Sequence, residues 1–600
     1  LILTQTSYAE NNRKFFKNHL KRYFKDKHMA TSRLRQLGQY LHPYWKQVLW
    51  GTGALFVVNA LGVYIPLLIR DSIDDLRRAF SFDQVLLYVL LMLVLATIMW
   101  IIRMISRLII FRVGRQVEFD LKQRIFEHLL TLEPAYFSTN TCGDLINRTT
   151  SDVDNIRRLV GFAVLSLINI IFAYALTLPA MLAIHVPLSL LTITVYPVIL
   201  FTVQIFSRQL QYQQFKVQER LSEISELIQE DIGGMALIKI YAQEANEIYA
   251  FDQLNQKLLK ANLKLAQIRN FLFPIIEGLS YISLLLLLTF GTKAITEGTI
   301  SIGDFVALII LVEQLVFPTT LLGFTITAYQ RGEVSIDRIA AIFQAQPRVR
   351  DRDQLKSISL SEIKGKLVAL NLSYTYPGTK TPTLNKVNMT INPGEMVAIV
   401  GPIGCGKSTL ANTLPRLLEI APGQLFLDDY DVTELPLAQL REAIAYVPQD
   451  SFLFNTSIEN NIRYGDHLKE RYEVEKAAKQ SYIHQEIMNL PQEYDTLVGE
   501  RGIILSGGQR QRTALARALL MDASILILDD ALSSVDNKTA TQILNSLCKE
   551  QGKTIIFISH HLSAAAQADR ILVMDKGKIV QRGTHQTLLQ QPGLYQSFWN

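Results

Sequence analysis

Apolar residues crowd into the first half of the chain in long, nearly unbroken runs, whereas the second half alternates short apolar runs with polar, helix-like stretches. A helix needs about 20 mostly apolar residues to cross a hydrocarbon core. Six stretches meet that requirement, near 47–69, 84–111, 159–184, 187–207, 271–294 and 303–328. Only His185, Val186 and Pro187 separate the third from the fourth, which predicts a tight hairpin. The connections between spans two and three and between four and five are long and almost free of proline. Structureless loops of such length are uncommon. The spanning helices are therefore expected to run on past the membrane and turn around at tips near Ser138–Asn147 and Gly234–Gln243. From about residue 363 the pattern changes. Runs such as LVALNLSYTY, MVAIV, IAYV, ILILDD and TIIFISH alternate with helix-like segments, which predicts an α/β fold with a mainly parallel sheet.

Charge orients the spans. Lys and Arg gather before span one (Arg13, Lys14, Lys21, Arg22, Arg33, Arg35), between spans two and three (Arg112, Arg115, Lys122, Arg124, Arg148, Arg157, Arg158) and between four and five (Arg208, Lys216, Arg220, Lys239, Lys257, Lys260, Lys264, Arg269). The alternate loops hold few, so both termini are expected on the cytoplasmic side. The net charge of +6 fits that bias. No basic stripe with interleaved aromatics marks a nucleic-acid partner. The three cysteines, Cys142, Cys405 and Cys548, match no metal or disulfide spacing. Residues 1–28 carry no apolar signal core and read as an extension or tail ahead of Met29.

Charged groups within spans are costly and often functional. Glu277 in span five and Glu313, beside Gln314, in span six qualify as candidate lining of a substrate cavity, one that would favour cations. The alternative is a snorkelling or helix-bridging role.

The strand MVAIV leads into Gly401-Pro402-Ile403-Gly404-Cys405-Gly406-Lys407-Ser408-Thr409, the phosphate loop GxxxxGK[ST] between a strand and a helix. Its glycines let the backbone wrap an anion, and the helix N-terminus faces it. Lys407 is placed to reach the β- and γ-phosphates, and the Ser408 hydroxyl to ligate Mg²⁺. Ile525–Leu528 ends in Asp529-Asp530, where this fold holds its metal. Between them, Leu505-Ser506-Gly507-Gly508-Gln509 opens a helix-like run and reads as a second anion site. Two phosphate clamps on one chain suit a nucleotide shared by two chains packed head to tail.

These motifs resemble the ATP-binding-cassette exporters, specifically half-transporters like the bacterial lipid A flippase and multidrug exporters, over nearly the whole chain from about residue 30. LSGGQ between the two Walker motifs carries the likeness, and TLVGERG at 496–502 resembles the loop that marks exporters. CGDLINRTTSDVDNIRRL and MALIKIYAQEANE resemble the two coupling-helix regions. The resemblance implies a six-helix all-α transmembrane domain with long cytoplasmic helix extensions, followed by an α/β P-loop nucleotide-binding domain with a smaller helical subdomain. The expected division is a basic tail and elbow (1–46), the transmembrane domain (47–330), a linker (331–362) and the ATP-binding cassette (363–600). It implies ATP and Mg²⁺ as cofactors and a multi-pass location in the bacterial inner membrane. Membrane lipids, an amphipathic substrate and a second half-transporter are the implied partners. By the same likeness, Tyr376 would stack on adenine. Gln449 would contact Mg²⁺ and the attacking water. Leu505 to Gln509 would clamp the partner's γ-phosphate, and His560 would sense the γ-phosphate. Ser533 to Asp536 match the D-loop.

One residue departs from the pattern. The family usually ends its Walker B strand in Asp-Glu, the Glu acting as general base; here that position is Asp530. Aspartate is one methylene shorter, and a misplacement of about 1 Å can cost on the order of 10²-fold in rate. Slow hydrolysis at the chain's own Walker site is expected, beside an intact LSGGQ. Homodimer and heterodimer both remain open. So do drug, lipid and peptide cargoes, although no peptidase-like domain precedes the spans. An ATP-gated channel is disfavoured by the lack of a regulatory insertion, and a soluble DNA-repair or translation cassette by the six spans.

Overall fold

The computed structural model describes residues 35–78, 81–352, 355–356, 358–359, 362–548, 552–560 and 562–599. Most of the expected basic tail, including Arg13, Lys14, Lys21, Arg22 and Arg33, lies outside them. The chain divides into two compact units, one of residues 1–130 with 141–345 and the other of 131–140 with 346–600.

The first unit is helical. Its long elements are α1 (Trp45–Arg78), α2 (Phe82–Thr131), α4 (Cys142–Ile184), α5 (Val186–Ile240), α6 (Glu244–Thr296) and α7 (Ile302–Gln344). Each is long and apolar enough to cross a membrane. At 1.5 Å per residue, α5 and α6 each reach roughly 80 Å, more than twice a hydrocarbon core of about 30 Å. The expected helical continuation is therefore present. His185 is the one extended residue between α4 and α5, and its Nδ1 accepts a hydrogen bond from the Leu188 amide at 3.3 Å, opening α5. The second turnaround is confined to Tyr241–Gln243, so 234–240 of the expected tip are helix. At the start of α7, Ser301 and Asp304 form a capping box, and Asp74 of α1 accepts bonds from the Ser301 hydroxyl (2.6 Å) and the Gly303 amide (3.1 Å). Any Cβ on Gly303 would sit 2.4 Å from the Arg70 carbonyl, so this helix junction requires glycine.

The helix α7 continues through Gln344, and residues 331–344 are helix, not an open linker. Ser335, Ile336, Ile339 and Ile342 bury one face of it against Val153, Ile156, Leu159 and Val160 of α4. That spacing is helical, but hydropathy alone falls off after residue 328 and hides it. Arg338 lies between Asp152 (3.0 Å) and Asp144, and the Ser335 hydroxyl donates to the buried Asp152 at 2.8 Å. The helix α4 is irregular, with π-helical turns at Arg148–Asp152 and Leu159–Ala163.

The second unit holds two sheets. Six strands lie in the order β10-β9-β3-β8-β7-β6, with β3 (Met396–Val400), β6 (Ile444–Val447), β7 (Ile525–Asp529), β8 (Thr554–Ile558) and β9 (Arg570–Asp575) parallel and β10 (Lys578–Gly583) antiparallel at one edge. The expected runs MVAIV, IAYV, ILIL and TIIFI are its central strands. Alternate residues face opposite sides: Met396, Ala398, Val400, Leu526 and Leu528 enter a core with the helices, and Val397, Ile399, Ile525 and Ile527 enter a second core. Burial on both faces is why these strands read as unbroken apolar runs. The second core is closed by a four-stranded antiparallel sheet in the order β2-β1-β4-β5, from β1 (Leu367–Tyr374), β2 (Leu384–Ile391), β4 (Leu425–Leu427) and β5 (Tyr430–Asp431). The run LVALNLSYTY belongs to this sheet and not to the parallel one.

Residues 131–140 cluster with the second unit. Pro134 starts a short helix, α3 (Pro134–Thr139), and extended Asn140 ends it before Thr141 caps α4. Glu133 accepts the Arg348 amide at 3.1 Å, and Glu133 and Ala135 line a small cleft with Tyr374, Leu417 and Leu418. The tip thus lies upstream of the expected Ser138–Asn147, most of which is already α4. The proline in LEPAYF was the available signal.

Candidate nucleotide site

The phosphate loop connects β3 to α8 (Lys407–Thr413), whose buried face anchors it through Leu410 and Ala411. Gly406 caps α8 with φ +103°, and a Cβ there would lie 2.9 Å from the Thr383 carbonyl. Only glycine meets both conditions. The Lys407 ammonium is held by the carbonyls of Gly401 (2.8 Å) and Pro402 (2.9 Å). The Cys405 thiol lies 3.9 Å from it, buried, with its pKa raised chiefly by that burial, so it is a poor nucleophile.

Strand pairing brings the other candidates to the loop. Parallel register sets β6 beside β7 and β7 beside β8, so Gln449, Asp529, Asp530 and His560 all lie at or just past C-terminal strand ends. A cavity of about 300 Å³ is lined by Gly404, Gly406, Lys407, Ser408, Thr409, Gln449, Asp529, Asp530 and His560, with Thr383, Ile403 and Ile558. The Ser408 hydroxyl donates to Asp529 at 3.0 Å. Burial, first among its causes, raises the Asp529 pKa, against the lowering effect of the Ser408 and Tyr446 hydrogen bonds. A hydroxyl beside a carboxylate is a hard-oxygen pair of the kind Mg²⁺ takes. Asp530 has left-handed backbone (φ +49°), and its amide donates to the Ile558 carbonyl at 3.1 Å. Tyr376 lies outside this cavity's lining, half-buried, with its hydroxyl 3.3 Å from that of Thr409 and its ring edge-on to Tyr374.

Tyr446 was missed in the sequence. Its hydroxyl donates to Asp529 (3.2 Å) and Asn412 (2.9 Å), and burial pushes its pKa upward. It stands three residues before Gln449 in the motif YVPQD, on the strand paired with Walker B, and that adjacency was the available signal.

Leu505 to Gln509 do not line this cavity. Ser506 caps α9 (Gly507–Leu520) and forms a capping box with Gln509, whose side-chain amide donates to Glu486 at 2.9 Å. Gln511 fastens this helix to the following loop by donating to the Ser533 hydroxyl (2.9 Å) and accepting the Ser534 amide (2.8 Å). A Cβ on Gly508 would lie 2.8 Å from the Ser534 carbonyl.

In the helical unit, Glu277 and Glu313 are exposed. Glu277 accepts the Tyr281 hydroxyl at 2.8 Å, and Glu313 lies within electrostatic reach of the same tyrosine. Neither lines that unit's large cavity, of about 860 Å³.

Six spans and a phosphate-loop fold in one chain define an ATP-hydrolysing membrane transporter. Residues 48–319 match the ABC transporter transmembrane region, and residues 384–533 match the ABC transporter family model. The multidrug resistance-like ATP-binding protein MdlA of Escherichia coli is 32% identical over 94% of this chain and 95% of its own length. An ATP-dependent lipid A-core flippase of Pseudomonas aeruginosa is 36% identical over 79% of this chain and 78% of its own. The solved structure of a bacterial Atm1-family ABC exporter with ATP bound shares the fold at a TM-score of 0.76 and 24% identity, over 92% of this chain and 98% of that one. The chain belongs to the ATP-binding-cassette transporters, as an exporter half-transporter with a multi-pass membrane domain and an ATP-binding domain.

Proposed function

We propose that the chain exports or flips amphipathic drugs or lipids across the bacterial inner membrane, with both termini cytoplasmic, as one half of a dimer. The relatives' names support that cargo class. The separation of the phosphate loop from LSGGQ carries the dimer reading. Loop, Gln449, Asp529, Asp530 and His560 share one cavity, while Ser506, Gly507 and Gly508 stand on a helix apart from it. A second chain packed head to tail would bring its LSGGQ over this chain's nucleotide.

In this reading the Lys407 ammonium exchanges the Gly401 and Pro402 carbonyls for the β- and γ-phosphates, and Tyr376 carries the adenine. Ser408, Asp529 and Gln449 would hold Mg²⁺, which supplies charge neutralisation at the transferred phosphoryl group. Tyr446 orients Asp529, Gln449 positions the water, Asp530 takes its proton, and His560 contacts the γ-phosphate. Because Asp530 is one methylene short of the usual glutamate, this site turns over slowly, and the chain lends its LSGGQ to a faster site on a sister chain. Purified alone in liposomes, the chain is expected to bind ATP and hydrolyse it slowly. Brisk turnover that Asp530→Asn abolishes would overturn the slow-site reading and favour a homodimer.

A further inference from the structure

The large cavity of the helical unit is formed by α4, α5, α6 and α7. Its position in sequence is uniform: Arg158 precedes span three, Gln211 follows span four, Arg269 precedes span five and Arg331 follows span six. All four belong to the ends that the charge bias assigns to the cytoplasmic side. The lining contains three arginines and no carboxylate. Arg158 donates its Nε to Asp154 at 2.7 Å. Among the described residues, no carboxylate pairs with Arg269 or Arg331. The rest of the lining holds both apolar side chains, Phe162, Leu272, Phe273 and Phe324 among them, and uncharged polar ones, including Gln211, which donates to Thr327 at 2.9 Å. Independently, the helix that carries Arg158 and Phe162 is π-helical over Leu159–Ala163 and Arg148–Asp152. Such turns occur mostly as single-turn bulges inside α-helices, frequently at functional sites.

We infer that this cavity receives an amphipath with an anionic head, a phosphate, sulfate or carboxylate on an apolar tail, at the level of the cytoplasmic leaflet. The guanidinium groups meet the head, where their planar donors match oxyanions, and the phenylalanines meet the tail. The cation preference expected from Glu277 and Glu313 does not extend to this cavity, which they do not line. The inference rests on the exporter reading but names a head-group charge that the reading leaves open.

The test uses the full chain in lipid nanodiscs, with its partner half present, and three probes: fluorescent dodecyl phosphate, the matched dodecyltrimethylammonium, and inorganic phosphate. Saturable binding of the alkyl phosphate is expected, weakened roughly tenfold or more by Arg269→Gln with Arg331→Gln and largely retained by the paired lysine replacements. Arg112→Gln, which removes a charge outside the cavity, is expected to leave binding unchanged. Tighter binding of the alkylammonium, binding of neither amphipath, or an equal effect of the glutamine and control variants would overturn the inference. Full competition by inorganic phosphate at the alkyl phosphate's own concentration would overturn the amphipath part of it. Should the glutamine pair not fold, loss of alkyl phosphate binding in the parent protein at high salt carries the same weight, and salt-insensitive binding would count against it. ATP-dependent movement of the probes in liposomes is scored separately. Binding without movement would contradict the exporter reading and not the charge preference.

Discussion

Asp530 is where the chemistry of a single side chain decides most. Its backbone is left-handed and hydrogen-bonded to Ile558, and in the proposed mechanism its side-chain length sets its reach to the attacking water. Asp530→Glu is expected to raise the steady-state ATPase rate of the reconstituted chain by roughly tenfold or more. An unchanged or lower rate would show that reach does not limit turnover. Asp529 gives a pH prediction. Its folded-state pKa is raised by burial, so the stability it contributes is present below the ordinary aspartate value and lost as pH rises through the raised one. Asp529→Asn should therefore gain in thermal stability relative to the parent as pH is raised across that window, read by unfolding of the nucleotide-free full chain in detergent, while losing Mg²⁺-dependent hydrolysis. A difference that does not vary with pH would contradict the assignment. The loop and the Walker B aspartates were legible because each is tied to a local strand-to-turn pattern, whereas Gln449 and His560 were reached only through the family resemblance of YVPQD and FISHH. Tyr446 was not, because its role depends on register with β7, which no single stretch of sequence contains.

At the level of elements, Gln511 joins the LSGGQ helix to the Ser533–Ser534 loop with two hydrogen bonds. Gln511→Ala is expected to cost about 1–2 kcal/mol of stability and to lower turnover of the paired transporter more than ATP binding. Equal effects on both would mean that the contact only holds the fold. Arg338 offers a comparison in the helical unit. Its loss leaves Asp152, nearly buried, without a cation, and Arg338→Ala should destabilise the α4–α7 contact by about 1–3 kcal/mol, measurable as faster amide exchange along 331–344. Spans and central strands were legible as elements because burial on every side leaves an unbroken apolar record. The second sheet was not, since β4 and β5 are too short to carry a period and acquire partners only in the folded chain. The helix over 331–344 was hidden for a related reason: half its surface is polar, and its buried face is specified by α4.

In the dimer proposed above, the behaviour of the whole transporter turns on whether its two nucleotide sites are alike. In a complex with a distinct sister chain, Ser506→Arg should abolish turnover, whereas Lys407→Met should leave most of it, because the first removes the clamp lent to the sister and the second only this chain's own slow site. Loss of activity with both variants would point to two equal sites. The arginine-lined cavity was the least legible feature, since Arg158, Arg269 and Arg331 come from three separate helices and no local motif joins them. The turnaround at Tyr241–Gln243 has a mechanical consequence. With roughly 40–50 Å of α5 and α6 standing beyond a hydrocarbon core of about 30 Å, a tilt of about 10° at the bilayer surface carries that tip some 7–9 Å sideways. The paired helices are a lever with a long arm. A displacement at the tip as wide as a helix needs only a slight rotation within the bilayer, and the same gearing means that the arm must resist bending if force is to reach the lipid at all.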